Sequence, residues 1–153
     1  MSLLSALLIA LTATQAMPGA EFAALATQLQ TPVQERLDTA RTMPAQAAPD
    51  LAEHDPVMLG LSELSRKAMR LSLSMESRNG PEDLRCIYRG MAQDALIHHR
   101  ALTEAEIRAD RIVIYTDIQY LLGHAAEMGR FADQTDIEPF TGVDPGCPRG
   151  PLR

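Results

Sequence analysis

Apolar side chains recur at steps of three and four over three long segments of the chain, and this period constrains the fold more than any other feature. The segments run from about Pro56 to Arg78, from Pro81 to Leu102 and from Glu104 to Met128. Such steps place side chains on one face of an α-helix. Aromatic residues make up only 4% of the chain, so the core must be aliphatic. We predict an all-α fold, a small bundle of three to five helices in which residues 81–128 form an antiparallel hairpin.

Several local signals predict where these helices begin and end. In the run Asn79-Gly80-Pro81, Gly80 is expected to take the left-handed conformation that ends one helix, and Pro81 to open the next. Residues 103–106 have the T-x-x-E pattern of a capping box, which predicts the start of the third helix. Gly129 is expected to end that helix.

The chain outside residues 57–129, the predicted helical core, divides into four parts. Residues 17–43 have helical periodicity, but Thr31-Pro32 interrupts it and predicts a break or kink between two helices. Residues 44–56 are rich in Pro and Ala and are expected to be a linker. Residues 130–153 lack a period and are expected to be an irregular tail. The remaining part, residues 1–16, is predicted to be a signal peptide.

The signal-peptide prediction depends on an apolar run without charged side chains. Residues 3–13 read LLSALLIALTA, and Ala16 suits a cleavage site. A basic n-region is missing, so a buried helix of a cytosolic protein and an uncleaved anchor stay open as alternatives. The run is shorter than the roughly 20 residues that span a bilayer. We expect export, with a periplasmic or secreted product that contacts a membrane only if this segment is retained.

Cys86 and Cys147 are the only two cysteines. In an exported chain, two cysteines predict one disulfide. The bridge would close a loop of about 60 residues and contribute on the order of 4 kcal/mol to stability. In a cytosolic chain both would instead be free thiols. A redox enzyme is disfavoured because there is no C-x-x-C motif.

Two groups of side chains are weak candidates for metal ligands. The first group is Asp94, His98 and His99, with Met91 one turn earlier. The second group, much further along the chain, is His124, Glu127 and Met128. Each group offers only two or three ligands, and there is no H-E-x-x-H motif. A histidine at the edge of the core is the simpler interpretation of His98, and a surface residue that of His99. We expect no metal and no cofactor.

Two further features involve basic residues. Arg111 falls within an apolar stripe, where a charge must be paired or must reach water. We expect it to pair with Asp94 or with carboxylates near the hairpin turn. The alternatives are that its guanidinium reaches water at the edge of the stripe, or that it binds an anion or another ligand. Arg66, Lys67 and Arg70 form a cluster that is interpreted as a solvated helix face, with contact to an acidic partner or to lipid headgroups as the alternative.

Charge and motifs exclude several classes of function. The net charge is −6 and no basic stripe is present, which disfavours nucleic-acid binding. There is no G-x-S-x-G motif and no glycine-rich phosphate loop. We therefore expect a non-enzymatic interaction or structural module with an unidentified protein partner. The alternatives are a metal- or small-ligand-binding protein and an enzyme of unrecognised type. Long aliphatic helices also leave homo-oligomerisation open.

Overall fold

The computed structural model describes residues 17–43, 51–52, 54–134 and 146–147. These residues form four α-helices, namely α1 (Pro18–Thr42), α2 (Pro56–Ser77), α3 (Glu82–Glu104) and α4 (Arg108–Ala132). The predicted small all-α bundle is therefore confirmed. The predicted signal peptide, most of the predicted linker and most of the predicted tail lie outside the described residues.

The helices form an antiparallel bundle in which each helix packs against two neighbours. The most extensive pairings are α1 with α4 and α2 with α3. The pairing of α3 with α4 is less extensive but antiparallel, as expected. Tyr88 near the start of α3 donates a hydrogen bond of 2.7 Å to the carbonyl of Met128 near the end of α4.

The core is aliphatic, as the composition requires, with a few aromatic side chains inserted. Phe22 of α1 and Tyr88 of α3 are fully buried and meet edge to face, with ring centroids 6.1 Å apart. This contact joins two helices that are diagonal in the bundle. The other fully buried large side chains include Leu61, Leu64, Met75, Leu102, Ile118 and Leu122.

Helix α1 is continuous, so the predicted break at Thr31-Pro32 is wrong. Pro32 lies inside the helix, where it lacks the N–H that would bond to the carbonyl of Gln28. Gln28 is exposed, so water can hydrate that carbonyl. Leu29 and Val33 are buried on the same face, and their packing offsets the lost hydrogen bond.

The end of α2 is a Schellman motif with Asn, not Gly, in the left-handed position. Asn79 has φ of 49°, whereas Gly80 does not have a positive φ. The N–H of Gly80 donates to the carbonyl of Met75 at 2.8 Å, and the N–H of Asn79 donates to the carbonyl of Glu76 at 3.2 Å. The predicted stop is therefore in the right place, but the assignment of the left-handed residue to Gly80 is wrong.

The predicted capping box at residues 103–106 is also wrong. Thr103 lies within the last turn of α3, and its hydroxyl donates to the carbonyl of His99. Helix α4 begins later, at Arg108, and its N-cap residue Ile107 makes no side-chain capping bond. The turn therefore falls several residues later than expected, because residues 103 and 104 extend α3.

Gly129 does not end α4, which continues to Ala132. It is instead buried at a close approach to Gly19 of α1. A Cβ atom on Gly129 would lie 2.6 Å from the carbonyl oxygen of Gly19, and a Cβ on Gly19 would lie 2.1 Å from that of Gly129. The prediction failed because the glycine serves helix packing and not helix termination.

Helix α4 and the residue after it hold both ends of α1. At the first end, the Asp133 carboxylate accepts hydrogen bonds from the backbone N–H of Gly19 at 2.8 Å and of Ala20 at 2.7 Å. At the other end, Arg108 donates to terminal carbonyls of α1, including that of Ala40, and to the carbonyl of Met43 at 2.6 Å. The unpaired backbone groups at both ends of α1 are thus bonded by side chains from another part of the chain.

Among the described residues, none of the helices has both the length and the apolar character that crossing a membrane requires.

Candidate functional site

The two cysteines are joined. Cys86, in the second turn of α3, is bonded to Cys147, which is 61 positions further along the chain, and their Cα atoms are 5.1 Å apart. The bridge ties the chain beyond α4 to the bundle. A disulfide of this kind is typical of an oxidising compartment.

The structure places His98 beside α4 at its middle, next to Asp117. Burial lowers the pKa of His98, while the carboxylates of Asp117 and Asp94 act in the opposite direction. The net lowering favours a neutral imidazole, which is the state of a histidine at the edge of a core.

The predicted metal-ligand candidates are not brought together. Within the described parts of the chain, no three His, Cys, Asp or Glu side chains are placed to share a metal ion. Asp94 and His124 are exposed, and His98 and His99 are half-buried.

The basic cluster of α2 is partly paired within the fold. Lys67 donates to the carboxylate of Glu21 at 2.7 Å, and this ion pair lowers the pKa of Glu21. Arg66 contacts Glu63 one turn earlier. Arg70 and Lys67 border a surface depression of about 320 Å³ between α1 and α2. With two of the three cations paired, the cluster fits the expected solvated helix face.

A larger feature of the surface is apolar and lies on α3 and α4. Tyr120 is 72% exposed, and Ile97 and Val113 are each 59% exposed. Val113 and Tyr120 are seven residues apart, which places them on one side of α4. The charge of Asp117 acts on His98, which indicates that the middle of α3 lies at the level of the middle of α4.

Helical spacing adds Ile87 and Asp94 of α3 to this side of the bundle. We call the surface the α3–α4 face and define it by Ile87, Asp94, Ile97, His98, Val113, Asp117 and Tyr120. Sequence analysis treated His98 and Asp94 as possible ligands and did not recognise the exposed apolar residues around them. The sequence contains the signal for them, because apolar residues such as Ile97 and Val113 fall outside the buried stripe of their helix and must therefore be exposed.

Arg111 departs from the expected pairing. It is only 7% exposed and forms no ion pair with the described residues. The expected ion pair of Arg111 with Asp94 or with a carboxylate near the hairpin turn is not formed among the described residues.

A buried polar residue that sequence analysis missed is Asp55. It is 2% exposed and caps α2 by accepting from the N–H of Val57 at 2.9 Å and of Met58 at 3.3 Å. It also accepts a hydrogen bond of 2.6 Å from Arg36. The available signal was Asp directly before Pro56, because Asp suits the N-cap and Pro suits the first helical position.

The chain matches no known protein family, no characterised protein sequence and no solved structure.

Proposed function

We propose that the protein is a non-enzymatic binding module of an extracytoplasmic compartment, and that its α3–α4 face docks a partner protein. The observation that carries this proposal is the exposure of three large apolar side chains, Ile97, Val113 and Tyr120, on one side of the bundle. Apolar surface gathered on one side of a monomeric protein is typical of an interaction site.

The charge of the face indicates the chemistry of the partner. Asp94 and Asp117 are exposed among the apolar residues. Arg108 of α4 is directed to the end of α1, whereas Arg100 of α3 lies one turn from Ile97 and borders the face. A segment that carries apolar and basic side chains would complement it. Two copies of the face would bring like charges together, so a second copy of the chain is a poorer occupant.

The compartment is supported by the Cys86–Cys147 bridge. Intact mass spectrometry of the protein from a bacterial periplasmic extract tests this part directly. We expect a chain that begins at Met17 and takes up alkylating reagent only after reduction. A chain that retains residues 1–16 and has two alkylatable thiols would contradict export.

Site-specific photocrosslinking in the producing cells tests the docking face. A photoreactive phenylalanine analogue is placed at position 97 or 120 of the face, or at position 59 or 73 of α2 as matched controls. Leu59 and Leu73 are 55% and 53% exposed, so the controls are comparably accessible but lie on a different side.

We expect the same discrete adduct from positions 97 and 120, and none from positions 59 and 73. Raising the salt concentration is expected to reduce the adduct, since the proposed contact includes exposed charges. Equal adducts from all four positions, or an adduct with twice the mass of the chain, would contradict a heterologous partner on this face.

A further inference from the structure

Among the described residues, Arg111 is a buried cation that no carboxylate pairs. Arg111 lies in the first turns of α4 and is more than nine-tenths buried. Its Nε atom is inaccessible to solvent and has no acceptor, whereas its terminal nitrogens keep some contact with solvent. A largely buried cation without a counter-charge is costly. The Nε–H of Arg111 is therefore available to an acceptor that the described part of the chain does not supply.

The groups around Arg111 leave the site with an unbalanced positive charge. Tyr115 lies one turn further along α4, and the charges of Arg36, Arg111 and Asp55 all act on its pKa. The Asp55 carboxylate is already occupied by Arg36 and by two backbone N–H groups of α2. Two guanidinium groups and one carboxylate therefore surround Tyr115, and together they carry a net charge of about +1.

The helix ends add to this positive potential. Arg111 is near the N-terminus of α4, and Asp55 directly precedes α2. The positive ends of two helix dipoles thus lie close to the cluster. Arg108, by contrast, is directed to the carbonyls at the end of α1 and does not belong to the cluster.

We propose that Arg111 anchors a binding site for a carboxylate. The planar guanidinium fork matches the two oxygens of a carboxylate. Burial raises the pKa of Tyr115, which keeps its hydroxyl protonated at neutral pH and able to donate a second bond. A monoanion would neutralise the cluster, whereas a dianion such as sulfate would reverse its charge. Only 7% of Arg111 is exposed, so a ligand group that reaches it must be small.

Acetate is the first probe, with chloride and sulfate as reference anions at matched ionic strength. Thermal unfolding is measured for the wild-type protein, for Arg111→Met and for Arg130→Met. Arg130 is on the same helix, but its side chain is 62% exposed, pairs with Glu127 and lies over the ring of Phe131, so Arg130→Met is the matched control. A ligand that binds only the folded state raises the midpoint as its concentration increases.

We expect acetate to raise the unfolding midpoint of the wild type and of Arg130→Met, but not that of Arg111→Met. In chloride, Arg111→Met should be at least as stable as the wild type, because it removes an uncompensated buried charge. No rise in the wild type, an equal rise with sulfate, or an equal rise in Arg111→Met would overturn the proposal.

Nuclear magnetic resonance provides a readout that does not depend on how well the variant folds. The Nε–H signal of Arg111 should move on addition of acetate, while that of Arg130 stays unchanged. A short peptide with a free C-terminal carboxylate, compared with its C-terminal amide, distinguishes a free acid from a carboxylate presented by a protein. If the peptide with a free carboxylate shifts the Arg111 signal and acetate does not, the carboxylate is one that a protein presents. If neither acetate nor this peptide shifts the signal, the site is refuted.

Discussion

Replacement of Gly129 by Ala is expected to destabilise the bundle by about 2 kcal/mol. The new Cβ would lie 2.6 Å from the carbonyl oxygen of Gly19 and 2.7 Å from the Cβ of Ala23. Ordinary contacts of this kind are roughly 3.5–4.0 Å, so α1 and α4 would have to move apart by about 1 Å. The atoms in the way belong to backbone or to a Cβ, which cannot rotate aside.

Two opposing effects set the magnitude of this change. Overpacking in a well-packed core costs roughly 1–3 kcal/mol. Because α1 and α4 would have to separate, we expect the cost of Gly129→Ala to lie at the upper end of this range. Alanine has a helix propensity about 1 kcal/mol more favourable than glycine. The difference is about 2 kcal/mol, which corresponds to a fall of very roughly 8 °C in the midpoint of thermal unfolding.

Gly123→Ala is the matched control, because Gly123 is exposed on the same helix and a Cβ there would meet nothing within 4 Å. It should stabilise the protein by up to about 1 kcal/mol through helix propensity alone. Urea unfolding followed by far-ultraviolet circular dichroism, with the disulfide intact, measures both variants. If Gly129→Ala is as stable as Gly123→Ala, the two helices do not meet closely at Gly19 and Gly129, and the packing argument is refuted.

Three further perturbations test other contacts. Reduction of the Cys86–Cys147 bridge, which spans 61 residues, is expected to lower the free energy of unfolding by about 4 kcal/mol; a change below about 1 kcal/mol in urea unfolding would contradict it. Asp133→Ala should cost about 1 kcal/mol because it removes the acceptor for two N–H groups at the start of α1; an unchanged urea midpoint would count against this cap. Burial raises the pKa of Tyr88 to about 12. The contribution of its protonated hydroxyl to the free energy of unfolding is therefore complete below pH 10 and is lost as the pH rises through 12. Tyr88→Phe should therefore show a shallower loss of stability over that range, and identical pH profiles would refute the assignment.

Periodicity alone predicted the bundle and three of its four helices to within a few residues. The reason is physical, since an aliphatic stripe at steps of three and four has one way to be buried. Pro81 was predicted to open α3, and it lies one residue before the start of that helix, as its N-cap.

The wrong predictions concern residues whose role depends on packing against parts of the chain that are distant in sequence. Gly129 has the sequence context of a helix end, and only the approach of Gly19 shows why it is a glycine. Pro32 has the context of a helix start, but the buried face on both sides of it keeps α1 continuous. Neither contact could be read from the local sequence.

The candidate site was less predictable than the fold. The buried stripe of each helix was found, but the significance of the exposed apolar side chains required knowing that α3 and α4 are neighbours. For Arg111 the sequence correctly indicated a charge within an apolar stripe. It could not indicate that Asp55, a buried carboxylate far away in the chain, is already engaged by Arg36.

The bonds that Arg108 and Asp133 make to the two ends of α1 have a consequence for the order of folding. During synthesis, α1 is complete long before either residue has been made, and until then its terminal backbone groups have only water as partners. The first helix of the bundle is therefore held by the last, and the pairing that closes the fold spans the greatest sequence distance. The pairing of α1 with α4 therefore cannot be completed until nearly all of the nascent chain has emerged from the ribosome.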